Sequence, residues 1–325
     1  MADQTTSPAP STSAAERPHA PAGSRWRCAS VYWAAFGVLC LAVQIWVFAR
    51  WAADGNFHAY PSGGYEISPA RKVITHVTQV LDVTVITALA VLHWRQSRAL
   101  GRVNLEAALL VGLATTFWTS PYAGSYRFAA GNNRYDLNVV SWGPYLPGWN
   151  GEFPAAESFV MQLAFPLFQV WIVIALFLVR LLRRHRQHWS RARTLTAITL
   201  AFFVLDPLLT QTYTRLGGFS YPRALPHLTL FEGEWYQTPL SSVFGVIFFY
   251  VVPVSAMVLY AKRGQEVHLF QGSLELPRRS QPWVRLLAGV GLMNAATVLF
   301  QMLMLGSAAV GYYVETPSWL DRPTW

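Results

Sequence analysis

The chain has 325 residues, 53% of them hydrophobic and only 13% charged, with 14 Trp, 14 Tyr and 19 Phe, whereas a soluble domain carries about 25% charged residues. That deficit, with a mean hydropathy of +0.27, argues against a soluble enzyme and points to an integral membrane protein. The net charge of +9 would suit nucleic acid, but the placement of the basic residues assigns it to membrane topology instead.

Residues 1–24 are rich in Ser, Thr, Ala and Pro without an apolar period, and read as a disordered tail. The extreme N-terminus is acidic and the apolar run begins only near Val31, so this is not a signal peptide. Residues 25–325 read as one all-α transmembrane domain. Crossing the hydrocarbon needs about 20 apolar residues, and a backbone without water partners must cross as a helix. Seven runs qualify, at roughly 31–50, 73–93, 105–122, 158–181, 194–213, 240–261 and 284–311. Cys28 and Cys40 match no metal or redox spacing.

The loops set the orientation. Sixteen Lys/Arg fall at 25–27, 95–102, 180–193 and 262–285, all on one side, against eight on the other. The N-terminus is therefore expected inside, the C-terminus outside, and the protein in the cell membrane. "RLLRRHRQHWSRAR" then faces anionic lipid heads rather than nucleic acid. Two aromatic loops, 123–157 and 214–239, lie on the outer face. The first holds "RYDLNVVSWGPYLPGW", too rich in aromatic and turn residues for a plain connector. It reads as a fold over the mouth of the bundle.

Ionisable and amide side chains inside spans mark a site or a helix contact. In chain order they are His76, Gln79 and Asp82; Thr115, Thr116, Trp118 and Ser120; Glu157, Gln162 and Gln169; Asp206, Thr210, Gln211 and Tyr213; then Asn294, Thr297 and Gln301. They share the middle or outer half of each span, which implies a polar cavity opening outward. The plain alternatives stay open. The amides and threonines equally suit helix-to-helix hydrogen bonds, His76 a solvated ring, and Asp82 a partner on another helix. Asp206 in "AFFVLDPLL" has no nearby Lys or Arg in its own helix, and Pro207 is expected to disturb α geometry there. Two outer helix ends are alike: "TSPYAGSYR", with Tyr126, and "LDPLLTQTYTR", with Tyr213.

No phosphate-binding loop, dinucleotide fingerprint, zinc signature or nucleophile elbow occurs. Lys72 and Lys262 are the only lysines, both at membrane edges. No metal and no cofactor is called for, and nothing specifies an oligomeric state.

"FWTSPYAGSY", "NNRYDLNVVSWGPYLPGW" and "VLDPLLTQTYTRLGGFSYP" resemble the AveC-type spirocyclase family, actinobacterial membrane proteins associated with spiroketal formation in macrolide polyketides. The likeness runs from about residue 31 onward and is strongest in 117–149 and 206–222. It departs at Ser120, where the family pattern has an aspartate before the proline. The resemblance implies a cofactor-independent dehydrative cyclase acting on a lipophilic dihydroxyketone. Such chemistry needs a proton donor and a base, and aromatic faces that steady a developing cation. Burial in an apolar bundle disfavours a charged carboxyl and so suits it to donating a proton. On this reading Asp206 is the acid, with Asp82 the second candidate, and Tyr213, Tyr126 and Asn138 are hydrogen-bonding partners. Trp118, Trp142 and Trp149 form walls or a lid, although tryptophans at an interface are often simple anchors. His76, Gln162, Thr210, Asn294 and Gln301 complete the binding set. A non-enzymatic carrier of a lipophilic metabolite, or a scaffold for a biosynthetic complex, would use the same bundle.

Overall fold

The computed structural model describes residues 27–60, 65–126, 128–149, 156–158, 164–262 and 264–320, the side chains of 125, 126, 164 and 165 excepted. The tail expected over 1–24 lies outside them. Helices dominate: α1 (Ala29–Ala53), α2 (Pro69–Ala99), α3 (Leu105–Leu113), α4 (Ala164–His185), α5 (Arg191–Leu216), α6 (Leu240–Val246), α7 (Val252–Tyr260) and α8 (Gln281–Ala309). A π-turn over Ile247–Val251 joins α6 to α7, so that Leu240–Tyr260 acts as one span.

Six helices among the described residues are long and apolar enough to cross a membrane, and together they make the expected all-α polytopic bundle. The expected third span is the exception. Its α-helical part stops after nine residues, because the hydroxyls of Thr115 and Thr116 turn back to the carbonyls of Gly112 and Leu113 at 2.7 and 2.8 Å and Pro121 brings no N–H. Irregular backbone at this depth survives only when shielded by protein, and Ala108, Leu109 and Leu113 are fully buried. Pro207 does the reverse of what was expected: α5 runs through it unbroken, as helices in a bundle can.

The connections sort to two ends. At one end Ser30 N–H bonds to Gln271 carbonyl at 3.4 Å, Arg285 to Val103 carbonyl at 2.7 Å, and Arg102 and Arg285 both pair with Glu266. At the other end the segments after α1, α3, α5 and α8 knit into a cap of two-stranded ribbons. These are β1 (Gly131–Asn132) with β4 (Phe219–Ser220), β2 (Asn138–Val140) with β3 (Ala156–Ser158), β5 (Arg223–Ala224) with β8 (Tyr312–Tyr313), and β6 (Thr229–Leu230) with β7 (Thr238–Pro239). The chain therefore alternates between ends through the short α3 as well.

α8 is the axis. Where α1 and α3 cross it, the contact has no room for side chains: a β-carbon on Gly37 would collide with the Leu287 carbonyl, on Gly291 with that of Trp33, and on Gly289 with that of Ala108. Small residues of this kind let helix backbones approach closely in a membrane. Away from the axis, one face of α2 exposes Val73, Val77 and Val80, the surface a lipid-immersed helix presents.

The tryptophan-rich loop is a lock on the end of α1. Trp51, Trp118, Val139, Trp142 and Leu146 form a second core with Val47. Each indole N–H there has a partner: Trp51 to Val140 carbonyl (3.0 Å), Trp142 to Trp118 carbonyl (2.9 Å) and Trp118 to Asn294 Oδ1 (2.8 Å). Nearby, Asp136 accepts from Gln79 of α2 and, at 2.8 Å, from Ser158 of β3. Burial, with Asp82 adding repulsion, pushes the Asp136 carboxyl from 3.8 to about 6, against the two donated hydrogen bonds and His76.

Two outcomes follow from this packing. Gly291→Val should lower the thermal midpoint strongly, by a loss of about 1–3 kcal/mol or more, whereas Gly306→Ala, which meets nothing within 4 Å, should hold or raise it; thermal unfolding in detergent reads both. Because the folded-state value of Asp136 is raised, its stabilising contribution is complete below its ordinary value and is lost as pH rises to about 6. Amides of 131–140 should therefore be better protected from hydrogen exchange at about pH 5 than at about pH 7, after correction for intrinsic rates, and Asp136→Asn should abolish the difference.

Candidate active site

A cavity of about 130 Å³ lies among α4, α5, α6 and α8, beneath the cap. Its wall is largely apolar, with Leu167, Phe168, Phe219, Val246, Phe300 and Met304. The polar groups on it are few: Ser120, Asn132, Glu157, Thr210, Tyr213, Tyr221, Ser242 and Gln301, with the Trp171 indole. A mostly apolar concavity with a small set of convergent polar groups is the usual form of a small-molecule site.

Local sequence explains how several of these groups get there. Thr210 and Tyr213 stand one turn apart on the last two turns of α5. Gly217 caps that helix in the left-handed region at φ +87°, and Gly218 has no side chain because the Tyr213 ring fills the space one would need. The Tyr213 hydroxyl donates to Asp82 Oδ2 of α2 at 2.7 Å, and Tyr213 also lines a water-sized void with Asp82, Asp136, Gln79 and Thr78. Tyr213 thus separates the cavity from a carboxyl behind it. Asp206, fully buried, accepts from Trp171 Nε1 at 2.7 Å through Oδ1, while its Oδ2 has no partner. Asp206 is not on the wall; Trp171 is. The Tyr221 and Ser242 hydroxyls bond to each other at 2.8 Å, and burial pushes the Tyr221 phenol well above its usual value. Gln301 Oε1 is buried on the wall without a partner.

Of the residues expected from sequence to act in catalysis or binding, the structure brings Tyr213, Thr210 and Gln301 to the cavity, and sets Asp82 and Asp206 one residue behind it. The others sit elsewhere. Asn294 ties α8 to α3 and α1 through Thr115, Trp118 and Gln44. Trp118 and Trp142 belong to the second core and Trp149 packs against it, so these three do not line the cavity: their rings, and the N–H groups of Trp118 and Trp142, are engaged in locking the loop. Asn138 holds its own turn through the carbonyls of Arg134 and Asp136 at 3.1 and 2.9 Å. His76 is exposed and meets the Tyr135 hydroxyl at 3.2 Å. Gln162 and the side chain of Tyr126 lie outside the described residues.

Glu157 stood among the polar residues of the expected fourth span but was given no catalytic or binding role. Its sequence context, "PAAESF", reads as the start of an apolar span; the structure makes it the centre of strand β3, paired with Val139. A lone acid beside an apolar run was the available signal. Ser120, where the resemblance implies an aspartate, donates to the Glu157 carboxylate at 2.8 Å. Among the described residues no group of three or more His, Cys, Asp or Glu gathers as metal ligands.

No curated protein and no solved structure matches the chain. The sequence profile of one family, described as spirocyclase AveC-like, matches residues 100–318. The match begins at 100 rather than near residue 31, so it takes in Glu157, Trp171, Asp206, Tyr213 and Gln301 and leaves out Asp82. Covering most of the chain and the whole of the cavity wall, it shows that the protein belongs to the AveC-like spirocyclase family.

Proposed function

We propose that this protein is a membrane-embedded cyclase that closes a spiroketal on a lipophilic dihydroxyketone, with loss of one water. Family membership implies cyclase activity in polyketide biosynthesis. The observation that carries the finer reading is the largely apolar cavity whose wall offers a tyrosine hydroxyl backed by a carboxyl. An apolar wall suits a polyketide-like chain and excludes the water that would reverse the reaction. Holding both hydroxyls near the ketone supplies much of the rate by orientation alone.

In the proposed steps, one substrate hydroxyl adds to the ketone to give a hemiketal. The hemiketal hydroxyl leaves as water, and the second hydroxyl closes the second ring. Tyr213 can accept a proton from an attacking hydroxyl as its own passes to Asp82, a relay of the general acid–base kind. Trp171 presents its indole to the cavity while its N–H donates to Asp206, so that the ionised form of Asp206 enriches the ring and favours a cationic carbon near its face. Asp206 thus acts through the indole. No step calls for a cofactor. We further propose that the cap faces outward in the cell membrane and the N-terminus inward, which the Lys/Arg excess at the opposite end supports.

Extracts of cells lacking the gene should accumulate a metabolite heavier by one water than the final product, and wild type should restore the product. Tyr213→Phe and Asp206→Asn should each lower turnover by about 10²-fold or more with substrate binding retained. An unchanged intracellular product with reduced export would instead identify a carrier.

A further inference from the structure

Asp82 and Asp206 each meet the cavity through another side chain, but Glu157 borders it directly. It is 1% exposed, and burying a carboxylate in an apolar surround is unfavourable unless hydrogen bonds compensate. Two hydroxyls from separate segments provide them: Ser120 Oγ donates to Oε2 at 2.8 Å, and Ser141 Oγ donates to Oε1 at 3.0 Å. Ser141 is itself oriented, since its oxygen accepts the Gly143 N–H at 3.1 Å, which leaves its proton for the carboxylate. The strand beneath is fixed as well. All three residues of β3 are buried and pair with β2 in register. The arrangement holds an ionisable oxygen pair at the cavity, where a glutamine would serve packing equally well and offer no proton chemistry.

From this geometry we infer that Glu157 is the residue that exchanges protons with the ligand in the dehydrative step, an inference that rests on the cyclase reading above. In the dehydrative step the Glu157 carboxylic acid gives its proton to the hemiketal hydroxyl. The C–O bond breaks, its electron pair leaves with water, and the ring oxygen shares a lone pair to form the oxocarbenium ion. The second hydroxyl then bonds to that carbon and returns its proton to the Glu157 carboxylate. The products are the spiroketal and one water, and Glu157 ends protonated as it began. Ser120 and Ser141 are positioning residues that keep both carboxyl oxygens aimed while the charge changes.

The test uses the full chain in lipid nanodiscs with a linear dihydroxyketone as probe, each hydroxyl four carbons from the ketone, and reads spiroketal by mass spectrometry above the buffer background. Glu157→Gln should lower kcat by about 10²–10⁴-fold with KM nearly unchanged. Glu157→Asp should recover part of the loss, and Ser120→Ala and Ser141→Ala should fall between wild type and Glu157→Gln. A second readout needs no variant: a small diazo reagent that esterifies carboxyls should modify Glu157 in the wild type and end turnover, and the probe should slow that modification. Wild-type turnover with an undiminished kcat in Glu157→Gln, or with modification that the probe leaves unslowed, overturns the role of Glu157 and leaves the cyclase reading standing. Absence of wild-type turnover overturns the cyclase reading, and the proton-exchange role with it.

Discussion

Every polar group carried into the apolar layer of this bundle has to find its partner inside the chain, because lipid offers none. That constraint accounts for most of the interior pairings. Asn294 satisfies Trp118 and takes the Thr115 hydroxyl and the Val290 carbonyl as partners in turn. Tyr250 meets Thr297 at 2.8 Å, Gln169 meets the Glu106 carbonyl at 3.0 Å, and Gln211 meets Thr238 at 2.6 Å. Apart from the Val290 contact within α8, each joins elements distant in sequence. Among the described residues that keep an unpartnered buried atom, two sit at the cavity: Gln301 on its wall and Asp206 immediately behind it.

The same constraint divides the bundle into a tight half and an open half. Along α8, glycines bring α1 and α3 to backbone contact, leaving no space for a ligand. On the side of α4, α5 and α6, Phe168, Trp171, Thr210 and Val246 line the cavity together with Phe300 of α8. The tight side thereby anchors α8, and with it Phe300, Gln301 and Met304 on the cavity wall.

The cap closes the arrangement. Its ribbons pair segments that follow different helices, so that β1 is tied to β4 and β5 to β8, and the loop after α3 is pinned to α1 by tryptophan N–H groups as well as by ring packing. One result is that an acid on a two-stranded ribbon, Glu157, is tied in by backbone pairing and by two hydroxyls from other segments. Another is that Asp136, clamped between α2 and β3, links the protonation state of the cap to the void behind Tyr213.

Hydropathy by itself determined the class of the protein, its helices and their alternation, because about 20 apolar residues admit only one folded form in lipid. The spacing of Asp206, Thr210 and Tyr213 likewise put one face of α5 at the site, since three- and four-residue steps share a face. Which polar residues meet was decided by tertiary structure. Asn294 and Gln301 lie seven apart on α8 and look equivalent in the sequence, yet α3 takes the first for packing and only the second reaches the cavity. The tryptophans of the loop could have covered the mouth, but Trp142 donates to the Trp118 carbonyl and Trp51 of α1 to that of Val140, which makes the loop a lock. Glu157 shows the limit most plainly: its place depends on pairing with Val139, eighteen residues earlier, and on hydroxyls from two other segments, contacts that no local pattern of apolar and polar residues encodes.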